Sequence, residues 1–360
     1  MKRSELIFER PLDLQATQPA EARGVPRDHA RLMVSTERGH VHTRFTELAH
    51  YLRPGDLLVV NDSATLPASL PAHHADLGAF VVSMATHFGN GMWLIEPRWS
   101  SAQPGPLPVT AGMMLTIADL PARLIAPYPG LPRLWFAQID GDVRAAMERT
   151  GKPIRYGYVQ ESYPLATYQT VFAAVPGSAE MPSAAYPFTR RVVDSLRANG
   201  VTIAPITLHT GVSSLEVETE VVENHPLYPE PYFVSARTAK LVNQANHDRR
   251  RVIAVGTTVV RALESAWNGH EVEPSRGFTR LYIHPKRGVN VVDGLITGLH
   301  DPVTSHLAML YTIAGQEAIR ESYAEAVREG YLWHEFGDSH LILMEDRRAL
   351  PEIKWFAQTA

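Results

Sequence analysis

RVIAVGTTVVRALESA, residues Arg251 to Ala266, reads as a strand, a tight turn and a helix in immediate succession. Val252, Ile253, Ala254 and Val255 form a continuous apolar run, the pattern of a strand covered on both faces. Gly256, Thr257 and Thr258 follow, and Val259, Val260, Leu263 and Ala266 then recur at helical spacing. The first amides of such a helix lack internal acceptors, which suits the turn to ligand oxygens.

The segments on either side of this unit repeat the alternation. Asp56-Leu-Leu-Val-Val-Asn61, entered through the turn Arg53-Pro54-Gly55, reads as a buried strand. It ends in Asn61-Asp62-Ser63, a polar cluster of the kind found where ligand loops leave a sheet. Arg190 to Asn199 is an amphipathic helix closed by Gly200, and Val201 to Ala204 follows as a strand. Thr207-Leu208-His209 lies in the next extended piece, and Ala236 to Asn246 is a helix. Phe278–Ile283, Val289–Val292 and His340–Met344 are expected as strands, Ser305–Gly315 and Glu317–Gly330 as helices. From about Pro67 to Arg155 the texture differs: Ala79–Met84, Met92–Glu96, Met113–Ile117, Ala122–Ala126 and Leu134–Gln138 are short β-like runs between Pro and Gly turns. That spacing predicts a small antiparallel barrel or sandwich, with the Pro-rich Ser100–Gly112 as a turn-rich loop within it. The expected organisation is α/β: a large domain from residues 1–66 and 156–360, with a small all-β barrel domain, 67–155, inserted.

Composition narrows the function. The chain has 360 residues, 45% hydrophobic and 20% charged, which describes an ordinary globular protein with a sizeable core. It has no cysteine, so disulfides, thiolate metal sites and cysteine nucleophiles are excluded together. No apolar run reaches the ~20 residues that span a bilayer, and the first residues lack a secretory signal; a cytoplasmic, membrane-free protein is expected. The net charge of −4, with short basic clusters at Arg190–Arg191, Arg249–Arg251 and Lys286–Arg287, does not by itself point to nucleic acid.

Generic catalytic motifs are absent: the chain has no GxGxxG after a strand, no Walker loop, no HExxH and no GxSxG. His73-His74 would point to opposite faces of a strand, which argues against joint chelation. What remains is a set of polar residues at strand ends: Asn61-Asp62, His209-Thr210-Gly211, His225, Glu230, Thr257-Thr258, His300-Asp301 and Gly337-Asp338. Polar groups at several strand ends fit a site on the C-terminal rim of an α/β sheet. Each alone also fits a cap or a satisfied core group.

Taken together, the segments RDHARLMV (Arg27–Val34), GDLLVVNDSATLPASL (Gly55–Leu70), YQTVFA (Tyr168–Ala173), MPSAAYPFT (Met181–Thr189), TLHTG (Thr207–Gly211), NHPLYPE (Asn224–Glu230), AVGTTVVRALES (Ala254–Ser265), VVDGLITGLHDP (Val291–Pro302) and FGD (Phe336–Asp338) make the chain similar to a known family. It resembles the S-adenosylmethionine:tRNA ribosyltransferase-isomerases of queuosine biosynthesis. The resemblance implies a barrel-like large α/β domain with an inserted β-barrel, and S-adenosylmethionine (SAM) as co-substrate with no metal. In the chemistry it implies, the sulfonium acidifies the ribose C5′ protons and a base removes one. Adenine is expelled, an amine on a deazaguanine in tRNA captures the opened sugar, and an epoxy-cyclopentane forms as methionine leaves. Such a site needs a base, seats for the sulfonium and the methionine carboxylate, and exclusion of water. At matched positions the resemblance points to Asp62, His209 and Asp338 as catalytic residues. Asn61, Ser63, Gly211, Gly256, Thr257, Thr258, Arg261 and His300 are the expected SAM contacts.

The departures from the family pattern cluster in these motifs. Where the family reads NDTRVIPARL, this chain has Ala64 and Ser69 in place of two arginines. PTAGLHFT becomes a segment with Pro187 for histidine, and HxMHxE becomes one with Tyr228 for the second histidine. TNFHLPxST becomes one with Gly298 for asparagine and Asp301 for leucine. Lost arginines remove bidentate partners for phosphate or carboxylate, and lost histidines remove proton carriers. The resulting expectation is a SAM-consuming enzyme with an altered, small nucleoside-like or amine acceptor, or an early-terminating lyase outcome. The alternatives are the parent reaction on tRNA and a SAM-binding protein without catalysis. The sequence leaves the oligomeric state open.

Overall fold

The computed structural model describes residues 1–100, 106–212 and 216–343. Part of the Pro-rich loop (101–105) and Met344 of the last expected strand lie outside the described residues. The chain begins with β1 (Arg31–Thr36), β2 (Gly39–Arg44), α1 (Leu48–Tyr51), β3 (Leu57–Asn61) and the short β4 (Ser63–Thr65). Next come β5 (Ser69–His74), β6 (Gly78–Gly89), β7 (Met92–Arg98), β8 (Met114–Ile117), β9 (Leu120–Tyr128), β10 (Leu131–Ile139) and α2 (Val143–Thr150). After β11 (Val175–Ser178) the α/β alternation resumes with α3 (Arg190–Ala198), β12 (Thr202–Leu208), β13 (Glu230–Val234), α4 (Ala236–His247), β14 (Val252–Val255) and α5 (Thr257–Ser265). It ends with β15 (Ser275–Thr279), β16 (Gly294–Gly298), α6 (Ser305–Ala314), α7 (Gln316–Arg328) and β17 (Ser339–Leu343).

Strands β5 to β10 close into an antiparallel barrel in the order β10-β7-β6-β5-β8-β9, with β9 pairing back to β10. Closure leaves no unpaired edge, and Leu70, Val82, Leu94, Leu115, Leu124 and Ala137 fill the interior. The larger sheet runs β15-β13-β12-β3-β14-β16-β17-β1-β2. Its centre is parallel, β12 to β3 to β14 to β16, so all four strands end on one rim. Alternate residues of β3 and β14 enter two different cores. Leu57, Val59, Val252 and Ala254 meet α4 to α7, whereas Leu58, Val60, Ile253 and Val255 meet α1 and α3. Burial on both faces explains their unbroken apolar runs. Helix starts follow the hydroxyl caps in the sequence: Thr189 accepts from Val192 N at 3.4 Å, Ser235 from Thr238 N at 3.1 Å and Thr304 from Leu307 N at 3.4 Å.

Two expected strands shift. Val289–Val292 is a buried loop, because the Glu264 carboxylate takes the Asn290 and Val291 amides (2.5 and 2.9 Å) that a sheet partner would otherwise bond. The strand proper is β16, beginning at Gly294. The expected Phe278–Ile283 strand ends at Thr279, where the Thr279 hydroxyl accepts from Leu281 N at 3.0 Å and turns the chain toward Arg261. Among the described residues, no helix is long and apolar enough to cross a membrane.

Buried histidines give the fold an acid-sensitive side. His340 on β17 is fully buried beside Ser35 Oγ (2.7 Å), and burial lowers it to about 3; burial likewise lowers His306 and His209 to about 4. The unfolded chain binds protons near 6.5 where the folded one does not, so stability is full above that pH and falls as pH drops from 6.5 toward 4. We expect a loss of a few kcal/mol over this window in denaturant titrations. His340→Asn should flatten the slope, and an unchanged slope would remove His340 from the account.

Candidate functional site

The rim where β12, β14 and β16 end carries a pocket with two compartments, of about 220 and about 60 Å³, so the first has the room for a ligand. Thr210, Thr257, Thr258 and His306 border both. Gly256 opens α5 with φ +92°, a conformation other residues adopt only under strain, and a Cβ there would stand 3.2 Å from Ala184 Cβ. This turn brings Gly256, Thr257 and Thr258, where α5 begins, to the pocket wall. The Thr210 hydroxyl, buried at the same wall, has no hydrogen-bond partner among the described residues.

The loop after β16 supplies His300, whose Nε2 shares a 2.8 Å hydrogen bond with Thr297 Oγ1. Its ring stacks on His306 at 4.7 Å between centroids and 4° between planes. Burial lowers both, His300 well below the ordinary range and His306 to about 4, with neighbouring cationic and imidazole groups adding to the effect. Both rings are therefore neutral near pH 7. A second group lines the larger compartment from the chain around residues 156, 180 and 335. The Tyr156 hydroxyl donates to Glu180 Oε2 at 2.5 Å, and its ring stacks on Tyr158 at 5.5 Å. The Tyr158 hydroxyl bonds His334 Nδ1. Glu335 is only 9% exposed, and its Oε1 has no hydrogen-bond partner among the described residues. Burial, then the Glu180 charge, pushes its carboxyl well above the usual range.

In the smaller compartment Arg261 is paired with Glu230 and donates to the Leu281 carbonyl at 3.0 Å. The other Glu230 oxygen accepts from Gly211 N at 2.8 Å. Tyr228 lies beneath, its hydroxyl donating to the Val212 carbonyl at 2.6 Å. A Cβ on Gly211 would fall 2.6 Å from that hydroxyl. Gly211→Ala is expected to cost about 1–3 kcal/mol through overpacking, read from the guanidinium midpoint; a loss under a few tenths would show that Tyr228 moves freely.

Of the residues expected from sequence, Gly256, Thr257, Thr258 and His300 line the larger compartment and Arg261 the smaller. Asn61, Asp62, Ser63, His209, Gly211 and Asp338 line neither and are spent on joining strand ends. Asn61 donates to the Leu208 carbonyl (2.9 Å) and Thr258 Oγ1 (3.3 Å) and accepts from Leu208 N (3.0 Å) and Ser63 N (3.1 Å). Asp62 accepts from the Thr207 hydroxyl at 2.6 Å, and burial raises its carboxyl. Ser63 Oγ meets Ser178 Oγ (2.6 Å) and His209 Nδ1 (2.7 Å), and the His209 ring packs under Gly177, where a Cβ would lie 2.3 Å away. Asp338 accepts from Arg31 N (2.7 Å) and Leu332 N (2.8 Å). Sequence reasoning missed Tyr156, Glu180, His306, His334 and Glu335. Glu180 and Glu335 stand immediately before MPSAAYPFT and FGD, a proximity that could have found them. Tyr156 carried no signal. Among the departures, Gly298 and Asp301 line the larger compartment and Tyr228 the smaller; Ala64, Ser69 and Pro187 lie outside both. Among the described residues, no group of three or more His, Asp or Glu is placed to hold a metal.

The polar pocket thus lies where the parallel strands of the larger sheet end, the usual place for a ligand in an α/β sheet. The family model described as queuosine biosynthesis protein matches residues 3–342, and the chain belongs to that family. It is similar to the S-adenosylmethionine:tRNA ribosyltransferase-isomerase of Thermus thermophilus, 38% identical over 331 residues, 88% of this chain and 94% of that protein. It is also similar to the protein of the same name from Moorella thermoacetica, 36% identical over 352 residues, 95% and 100% of the two chains. The solved structure of S-adenosylmethionine tRNA ribosyltransferase from Thermotoga maritima superposes with a TM-score of 0.53 at 29% identity, covering 94% of this chain and 100% of that one.

Proposed function

We propose that this protein is a SAM:tRNA ribosyltransferase-isomerase, moving the ribosyl part of SAM onto 7-aminomethyl-7-deazaguanine in tRNA and releasing adenine and methionine. The observation that carries this reading is convergence. Met181–Ala184, Thr210, Gly256–Thr258 and Thr297–Pro302 come from four segments that resemble the family, and all reach one pocket. The methionine carboxylate belongs at the amides of Thr257 and Thr258, on the positive end of α5, with the Thr210 hydroxyl as a further donor. The neutral His300–His306 stack offers a flat face and ring nitrogens to the adenine. Asp62, His209 and Asp338 then act by fixing the strand ends that shape the pocket.

A small-molecule acceptor is the less supported outcome. The substitutions that pointed to it include Ala64, Ser69 and Pro187, none of which touches the pocket, and Tyr228, which braces the barrel core. Relatives at 36–38% identity across nearly the whole chain carry tRNA in their names. The test is incubation with SAM, with and without tRNA bearing the aminomethyl-deazaguanine, following adenine and methionine by mass spectrometry. Release that requires the tRNA supports the reading. Equal release without tRNA would favour the small acceptor or lyase outcome, and no SAM binding by calorimetry would leave neither enzyme reading standing.

A further inference from the structure

We infer that the Glu335 carboxylate seats the sulfonium of SAM and accepts the proton that leaves C5′. The inference rests on the functional reading above and deepens it by giving its base a residue. Glu335 lines the larger compartment, is nine-tenths buried, and keeps one carboxyl oxygen without a partner among the described residues. A buried carboxylate left in that condition is costly unless a ligand completes it.

The surroundings fit a compact cation. The groups facing Glu335 are Glu180, Tyr158 and Tyr168, with Tyr156 and His334 beside them. No Lys or Arg forms a salt bridge with Glu335 among the described residues; Arg155, which faces Tyr168, donates to the Gln160 carbonyl at 2.7 Å. The stacked rings of Tyr156 and Tyr158 add π-faces, which attract a cation held close to them. Burial, and then the charge of Glu180 on the same side of the pocket, favours the protonated form of Glu335 in the free protein. The arriving sulfonium reverses that balance. The proton leaves to solvent, and the anion stands against the positive sulfur, next to the carbon whose hydrogens that sulfur acidifies.

The proton-transfer step then balances without another reactant. The C5′–H bond breaks, its electron pair stays on C5′ beside the sulfonium, and the proton passes to the Glu335 carboxylate. The carboxylate needs no raised proton affinity for this step, because the sulfonium it faces makes the C5′ hydrogens more acidic. The rival occupant of this seat is the α-ammonium of the methionine portion. S-adenosylhomocysteine separates the two, because it keeps the ammonium and lacks the sulfonium.

The experiment is calorimetry of the wild type, Glu335→Gln and Glu335→Asp with SAM and with S-adenosylhomocysteine, at pH 7 in two buffers of different ionisation heat. The wild type should bind SAM at least ~10-fold more tightly than the homocysteine analogue and release about one proton with SAM alone. Glu335→Gln should lose both the preference and the proton release while still binding the analogue, and its turnover at saturating SAM should fall by ~100-fold or more. Glu335→Asp, which keeps the charge, should still release a proton. Equal weakening of both ligands would assign the seat to the ammonium, and equal wild-type affinities would remove the sulfonium seat; either overturns the inference and leaves the functional reading intact. The wild-type comparison needs no variant to fold. Wild-type protein that binds neither ligand would overturn the functional reading, and this inference with it.

Discussion

Glu230→Ala should destabilise the protein by about 3–5 kcal/mol, the range for removing one partner from a buried ion pair. Both side chains are largely shielded, Glu230 at 6% and Arg261 at 13% exposure, so the orphaned guanidinium would keep its charge in a poorly hydrated place. The loss extends beyond Arg261. Glu230 also accepts the Gly211 amide, and Arg261 holds the Leu281 carbonyl at the point where β15 turns away. One carboxylate thus fastens the segment after β12 to α5 and to the chain beyond β15. Glu230→Gln retains an acceptor for Gly211 and should lose less. Glu230→Leu combined with Arg261→Met removes both charges and should recover much of the single-variant loss. Guanidinium unfolding of the set checks the ordering. A double variant no more stable than Glu230→Ala would show that the amide contact, rather than the ion pair, carries the effect.

The parts of this fold that were legible in the sequence are those governed by local period. The buried runs of β3 and β14 and the capped helices α3 and α4 read directly, because burial on two faces and hydroxyl caps leave clear marks. Val289–Val292 misled for a physical reason. An apolar run records burial, not pairing, and here the Glu264 carboxylate replaced the neighbouring strand. The same distinction governs the site. Asn61, Asp62, His209 and Asp338 stand in matched motifs at strand ends, as ligand-binding residues would, yet each has at least one polar atom bonded to a backbone or hydroxyl group of a neighbouring segment. Residues that join strand ends and residues that face a ligand share the same sequence neighbourhood, and only geometry separates them. Glu335 shows the reverse case. It stands in the loop before β17, next to the FGD segment that points to it, but the sequence does not show that its carboxyl is buried with one oxygen unpartnered among the described residues.

The turn of AVGTT carries the largest expected effect on ligand binding: Gly256→Val should weaken SAM binding by ~100-fold or more, about 3 kcal/mol at 1.4 kcal/mol per tenfold. Two costs act together. The backbone at Gly256 has φ +92°, where a β-branched residue is a genuine outlier. A Cβ would also stand 3.2 Å from Ala184 Cβ and 3.5 Å from Thr258 Oγ1, and two further methyl groups would extend from it. To relieve either strain the start of α5 must rotate, which re-aims the amides of Thr257 and Thr258 assigned to the methionine carboxylate. Gly256 N donates to the Ile296 carbonyl at 2.8 Å, and this anchor to β16 opposes the movement. Gly256→Ala should therefore weaken SAM binding by an intermediate amount. Ala184→Gly, which removes the nearest opposing methyl group, should restore part of the affinity of the alanine variant and less of the valine variant, because the φ strain persists in both. Calorimetry with SAM, accompanied by far-UV circular dichroism to establish that each variant is folded, checks the series. A folded Gly256→Val protein that bound SAM within about threefold of wild type would take the α5 N-terminus out of the site. A graded loss with partial recovery by Ala184→Gly would instead place the carboxylate where the helix amides begin.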